Sequence, residues 1–259
     1  MSRRIIFSAL LLCALPGAST GCRAPGYPKP GSEVVRPEQV LDFPTLYKQN
    51  CAACHGADGK YGAAISLNNP VYLAVAGENN LRTITANGVT GTLMPPFAKI
   101  SGGTLTDQQI ENLTQGMIHA WGNPAWRNPV ALGGQNLPPY ASSTPGDPVR
   151  GQEAFTTFCA RCHGADGAGA SSVANDKLLQ NGSLQRGSLI DPSYLALVSD
   201  QNLRSMILAG QPEQGMPDWR SDISPVGSHA MTDQEITDTV AWLASHRVKS
   251  AGLPYPEHP

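Results

Sequence analysis

The chain has 259 residues, with 18 Lys and Arg against 20 Asp and Glu, and 22 Pro and 27 Gly, for a formal net charge of −2. That balance excludes the broad basic face a nucleic-acid binder needs, and the length and composition suit an exported chain of small domains. Beyond the N-terminus no segment has the apolar length of a membrane span.

Arg3 and Arg4 open the chain, a short apolar run follows from Ile5 to Leu15, and small residues follow from Gly17 to Gly21. This is the pattern of a secretory signal over residues 1–21, too short to stay in a bilayer as a spanning helix. Ser19-Thr20-Gly21-Cys22 resembles a lipoprotein cleavage box, with Ser19 where Leu is usual. Lipidation of Cys22 would hold the protein on a membrane surface; ordinary cleavage between Ala18 and Ala24 is the alternative. Residues 22–40 contain Pro25, Pro28, Pro30 and Pro37 and read as an extended tether.

Within residues 41–121 stands Cys51-Ala-Ala-Cys54-His55, and 108 residues later Cys159-Ala-Arg-Cys162-His163. A Cys-x-x-Cys-His box places two thiols on one helical turn for the porphyrin vinyl groups and the following imidazole for the iron. A redox dithiol or half a zinc site needs no His directly after the second Cys, and does not need it twice. Four of the six cysteines lie in the boxes and the other two, Cys13 and Cys22, lie in the leader and directly after it, so none remains for a disulfide. The expected cofactors are two covalently bound haem c groups. Their attachment takes place outside the cytoplasmic membrane, which agrees with the leader and with a periplasmic location.

The two halves repeat each other. Asn69-Pro70 matches Asp191-Pro192, Asn80-Leu81-Arg82 matches Asn202-Leu203-Arg204, Gly88 matches Gly210 and Met94-Pro95 matches Met216-Pro217, all at an offset of 122. The offset is 108 at the boxes, so the second copy carries extra residues around Gly167 to Gly187. A Pro-rich linker at residues 122–147, with Pro124, Pro129, Pro138, Pro139 and Pro145, separates the copies; the second runs over 148–249 and a tail over 250–259. Asn69 and Asp191 read as N-caps before a first-turn Pro, Gly88 and Gly210 as C-caps, and Thr106 to Gln109 and Thr232 to Glu235 as capping boxes opening a last helix. The expected fold is all-α: two tandem domains, each too small to bury much core without a haem at its centre.

On these motifs the chain resembles the class I c-type cytochromes in a tandem dihaem form, over about residues 40–121 and 148–247. The resemblance implies a first helix ending in the haem box, a last helix crossing it, and a Met from the preceding loop as the sixth iron ligand. With His55 and His163 as the other axial ligands, that Met is Met94 in the first domain and Met216 in the second. Phe97 and Trp219, three residues on, would pack on the haems, and Arg82 and Arg204 would pair with propionates. Met117 and Met206 read as core; Met231 competes for the second iron, but its counterpart is Leu105. His119, His229, His246 and His258 read as solvated or structural.

In the family a Gly before the box lets the first helix approach an aromatic on the last. Gly151 and Trp242 fit, whereas the first domain has Phe43 and Gly116, an exchange of large and small that keeps the volume of the crossing. The family's Pro soon after the box, whose loop orients the haem His, is missing from both copies.

The expected function is single-electron transfer between redox partners in a bacterial respiratory or photosynthetic chain, free or as a complex subunit. A quinol-oxidising complex or dehydrogenase would be the donor, and an oxidase or another cytochrome the acceptor. The alternative is a dihaem oxidoreductase of peroxidase or thiosulfate type, which needs a displaceable axial ligand.

Overall fold

The computed structural model describes residues 35–127, 136–169, 187–220 and 229–248. The leader, Cys22, most of the tether, most of the extra residues of the second copy and the C-terminal tail lie outside the described residues. The described residues form helices and no strands, in line with the all-α expectation, with two isolated bridges at Ala98–Leu105 and Gln211–Met216.

In domain one, α1 (Phe43–Asn50) starts on Asp42, whose side chain accepts the Thr45 N–H, and has Pro44 in its first turn. A single residue, Cys51, joins it to the one-turn α2 (Ala52–His55). The longer α3 (Pro70–Asn87) is capped by Asn69 and broken at Gly77, where φ is 67°. Last comes α4 (Asp107–Trp121), opened by the full Thr106/Gln109 capping box. Domain two repeats the order. Its helices are α5 (Pro148–Phe158), α6 (Ala160–His163), α7 (Pro192–Leu197), α8 (Asp200–Ala209) and α9 (Asp233–Ser245). The break in α3 separates α7 from α8 here, and Ser199, 122 residues after Gly77, caps the new helix by accepting the Asn202 N–H.

The crossing of first and last helices is as tight as the sequence suggests. A methyl group on Gly116 would come within 2.2 Å of the Phe43 ring, and one on Gly151 within 1.9 Å of the Asp238 carbonyl oxygen and 2.8 Å of Trp242 Cβ. The aromatic side chains complete each crossing edge-on or tilted: Phe43 on Trp121 with centroids 5.4 Å apart, and Phe155 on Trp242 at 4.3 Å. The exchange of Phe43 for Gly151 and of Gly116 for Trp242 is therefore a real swap of sides. Leu46, Leu73, Ile110 and Leu113 fill the domain-one core, and Phe155, Leu195, Leu208 and Ile236 that of domain two.

Segments that read as spacers are held. Gln109 Nε2 donates to the carbonyls of Pro37 and Val40, and Asn112 Nδ2 to that of Leu41, strapping the chain before α1 to α4. In the linker, residues 136–147 lie along α8 and α9. Arg204 donates to the carbonyls of Pro139 and Tyr140, Gln201 to Tyr140, and Gln234 to Pro145. A Pro-rich segment offers carbonyls and few N–H groups, so amide and guanidinium donors on neighbouring helices suit it. At its end Asp238 accepts from the Asp147 N–H at 2.7 Å, from Arg150 Nε at 2.8 Å and from Gln234.

The domains are packed against each other. Asn69 caps α3 with its side-chain oxygen and, through its amide nitrogen, donates to Ala209 O at 3.0 Å and Gly210 O at 3.3 Å. Val71 belongs to the core of domain two and Ala209 to that of domain one.

Two outcomes follow from these crossings. Gly151→Ala should destabilise domain two by about 3 kcal/mol, at the upper end of overpacking costs, because the added carbon meets backbone; urea denaturation measures it. Burial alone would raise the Asp238 carboxyl pKa, but hydrogen bonds from Arg150, Asp147 and Gln234 prevail and hold it below its ordinary value. Its contribution is thus present above the unfolded value of about 3.9 and lost as pH falls through the lower folded value. Thermal melts between pH 2 and 5 should show a shallower acid loss in Asp238→Asn than in the parent.

Candidate haem sites

Each haem box is built the same way. Cys51 ends α1 with its N–H on Tyr47 O at 2.8 Å, and the His55 N–H bonds back to Cys51 O at 3.0 Å. Cys159 and His163 repeat both bonds at 2.8 and 3.0 Å. One helical turn therefore carries both thiols and the imidazole in each domain. None of the four cysteines is in a disulfide; Cys54 is exposed and the other three are half-buried. Before haem attachment, burial, with the neighbouring thiol adding to it, pushes the Cys51 and Cys159 thiols up to about 12, so both are neutral. A half-buried neutral thiol beside an apolar core suits thioether attachment to an apolar macrocycle.

His55 is buried, and its Nδ1 lies 2.8 Å from the carbonyl oxygen of Ile65. That bond puts the proton on Nδ1 and leaves Nε2 as the metal-binding nitrogen. Burial lowers the pKa of this imidazole, and the Ile65 bond partly offsets it. Ile65 is the acceptor that the sequence did not reveal, because the family's Pro is absent. A loop wound tightly on the box supplies it instead: Ala64 N–H bonds to Cys54 O at 2.9 Å, and a methyl on Gly62 would come within 2.2 Å of that oxygen. Tyr47 Oη, reaching from α1 to Gly56 O at 2.8 Å, pins the start of the loop. Closely spaced glycines after the box were the available signal.

The loop repeats 108 residues on, with one exception. Gly56, Gly59 and Tyr61 have φ of 84°, 76° and 61°; Gly164, Gly167 and Gly169 have 79°, 74° and 105°. Tyr61 is the sole non-Gly residue with positive φ among the described residues, and it is 74% exposed.

The two Met loops sit where each α3-type helix ends. Met94 O accepts the Val89 N–H at 3.1 Å and Met94 N–H bonds to Thr92 Oγ1 at 3.2 Å; Met216 pairs in both directions with Gln211. Both loops press on the C-capping Gly: a methyl on Gly88 would come within 2.6 Å of Met94 O, and one on Gly210 within 2.5 Å of the Pro217 carbonyl. Phe97 is half-buried against the domain-one core, and its carbonyl accepts from Leu105 N–H at 2.8 Å. Trp219 is buried, with the Arg220 guanidinium 5.1 Å above its ring, and its carbonyl accepts from Met231 N–H at 2.9 Å. Met231 itself is buried in the domain-two core.

The two arginines also have partners within the protein. Arg82 forms an ion pair with Glu111 of α4 at 3.4 Å. Arg204 is buried and bonds to Pro139 O, Tyr140 O, Thr237 Oγ1 and Asp233, tying the linker to α8 and α9. Each arginine thus joins its helix to the last helix of its domain.

Comparison with known families bears on the same segments. The family "cytochrome c" matches residues 148–247, and "cytochrome c oxidase, cbb3-type, subunit III" matches residues 38–115. The chain is a tandem dihaem c-type cytochrome. Its cofactor is covalently bound haem c in each domain. It is 26% identical over 143 residues to the cbb3-type cytochrome c oxidase subunit CcoP of Rubrivivax gelatinosus, over 55% of this chain and 40% of that one. The cytochrome therefore spans well under half the length of that curated relative. Among solved structures it is similar to the Kuenenia stuttgartiensis reducing HAO-like protein complex. That match has 15% identity and a TM-score of 0.45, over 83% of this chain and 98% of that one. A second, the KustC0563 c-type cytochrome, has 22% identity and a TM-score of 0.25, over 37% of this chain and all of that one. No helix among the described residues is long and apolar enough to cross a membrane.

Because Gly169 takes the place of Tyr61 in the second loop, Tyr61→Gly should relieve backbone strain. A gain of about 1 kcal/mol in urea denaturation of the haem-loaded protein is expected.

Proposed function

We propose that the cytochrome passes single electrons through two His/Met-ligated haems at the periplasmic side of a bacterial membrane, as a shuttle or as a subunit of a respiratory complex. The observation that carries the reading is the pairing, in each domain, of a haem turn with a Met-Pro loop seated on the C-cap of the preceding helix. Haem c bound there supplies reversible one-electron exchange between ferric and ferrous iron. Cys51 and Cys54 hold the first macrocycle by thioethers, and Cys159 and Cys162 the second. His55, oriented by the Ile65 carbonyl, presents Nε2, and His163 takes the same place on α6. Met94 and Met216 offer thioether sulfur, a soft donor that favours the ferrous state and raises the potential. Neither domain needs a substrate pocket, since the porphyrin edge is the reactive surface.

Domain one is the part similar to an oxidase subunit III, and the alignment with CcoP points in the same direction. An oxidase is accordingly the proposed acceptor, with a quinol-oxidising complex or dehydrogenase as donor. Export by the leader and lipidation at Cys22 would keep the cytochrome at the membrane where such partners work.

The optical spectrum of the oxidised protein, normalised to haem, tests the ligation. The parent should show the weak far-red band of Met bound to ferric haem at the intensity of two haems. Met94→Ala and Met216→Ala should each remove about half of it and lower the midpoint potential of one haem. A parent spectrum with one band's intensity, or a high-spin signature, would overturn the reading.

A further inference from the structure

At the boundary between the domains, a buried Ser66 donates its hydroxyl to Oε1 of Glu213. The two residues belong to the two haem sites. Ser66 directly follows Ile65, whose carbonyl orients His55, and Glu213 lies three residues before Met216 in the turn that Gln211 and Met216 close. The other oxygen of Glu213, Oε2, is buried and makes no hydrogen bond among the described residues. Accepting one hydroxyl hydrogen bond does not require a carboxylate, since an amide oxygen accepts equally well. Nearby Asn69, bonded to Ala209 and Gly210, already joins the same two segments without a charge.

The feature is also one-sided. At the offset of 122, the counterpart of Ser66 is Ser188, but that of Glu213 is Gly91. The repeat thus keeps the hydroxyl in both copies and has a carboxylate in only one.

Resting on the His/Met ligation above, we propose that Glu213 is a positioning residue shared by both haem sites. Ser66 holds its carboxylate between the loop that orients His55 and the loop that carries Met216, and its charge lowers both haem potentials together. A negative charge favours the ferric over the ferrous state, and in the interior its field is less screened than at the surface.

The test is spectroelectrochemical titration of the haem-loaded full chain, with the two waves assigned by Met94→His, which should displace that of the first haem. Glu213→Gln keeps the volume and an oxygen for the Ser66 hydroxyl but removes the charge. Both waves should shift to higher potential, with the far-red band unchanged, and Glu213→Asp should stay close to the parent. A shift in neither wave, or in one alone, would overturn the proposal. Should Glu213→Gln fail to load haem, Ser66→Ala separates the same outcomes: release of the carboxylate from domain one should raise the first wave and leave the second near its place, and an unmoved first wave would overturn it. If Met94→His moves neither wave, the ligand assignment fails, while the role of Glu213 is still decided by whether both waves move when its charge is removed.

Discussion

The contact on which each domain depends is the backbone-distance crossing of its first and last helices. Without it the haem turn has no fixed direction, because α2 and α6 are single turns that cannot hold themselves and are joined to α1 and α5 through one residue. The crossing needs one partner without a side chain. In domain two the missing side chain is that of Gly151 on the first helix, and in domain one that of Gly116 on the last. The two solutions have opposite layouts and leave the box geometry unchanged, down to the 2.8 and 3.0 Å bonds that frame it. Total volume at the crossing is what is conserved, and which helix supplies it is free to vary.

Duplication produced two similar domains and an interface that treats them differently. Asn69 can accept from its own helix and donate to Ala209 and Gly210 at the same time, because an amide has both functions. Its counterpart Asp191 caps α7 by accepting from Ser193 and Tyr194, and an ionised carboxylate has nothing to donate in return. A single change of side-chain type therefore allows one cap to bridge domains and restricts the other to its own helix. The break in the middle helix is made differently: Gly77, at φ 67° and ψ 165°, interrupts it in domain one, while extended Val198 and the capping Ser199 divide α7 from α8.

Much of this was legible in the sequence because local chemistry decides it. The caps at Asn69, Asp191, Thr106 and Thr232 need only a few neighbouring residues, and the haem boxes are contiguous. The exchange at the helix crossing was readable because the repeat supplied an internal comparison. What escaped is non-local. The Ile65 carbonyl reaches His55 through a loop whose winding depends on backbone contacts with Cys54, and any residue type could provide that oxygen. Arg204 was recognisable as repeated, yet its partners at Pro139, Tyr140 and Asp233 come from segments 29 to 65 residues away. The Pro-rich stretch before domain two resembles a spacer by composition, and becomes a strap because α8 and α9 aim donors at its carbonyls.

The same kind of strap precedes domain one, where Gln109 and Asn112 of α4 hold the carbonyls of Pro37, Val40 and Leu41. These bonds lie upstream of Phe43, so the chain reaches the last helix of the domain before it reaches the helix that leads to the haem. A pull on the N-terminal chain would be taken up at α4 first and loaded onto three side-chain bonds arranged along the strap. The iron-binding turn is thereby mechanically insulated from tension in the chain before it.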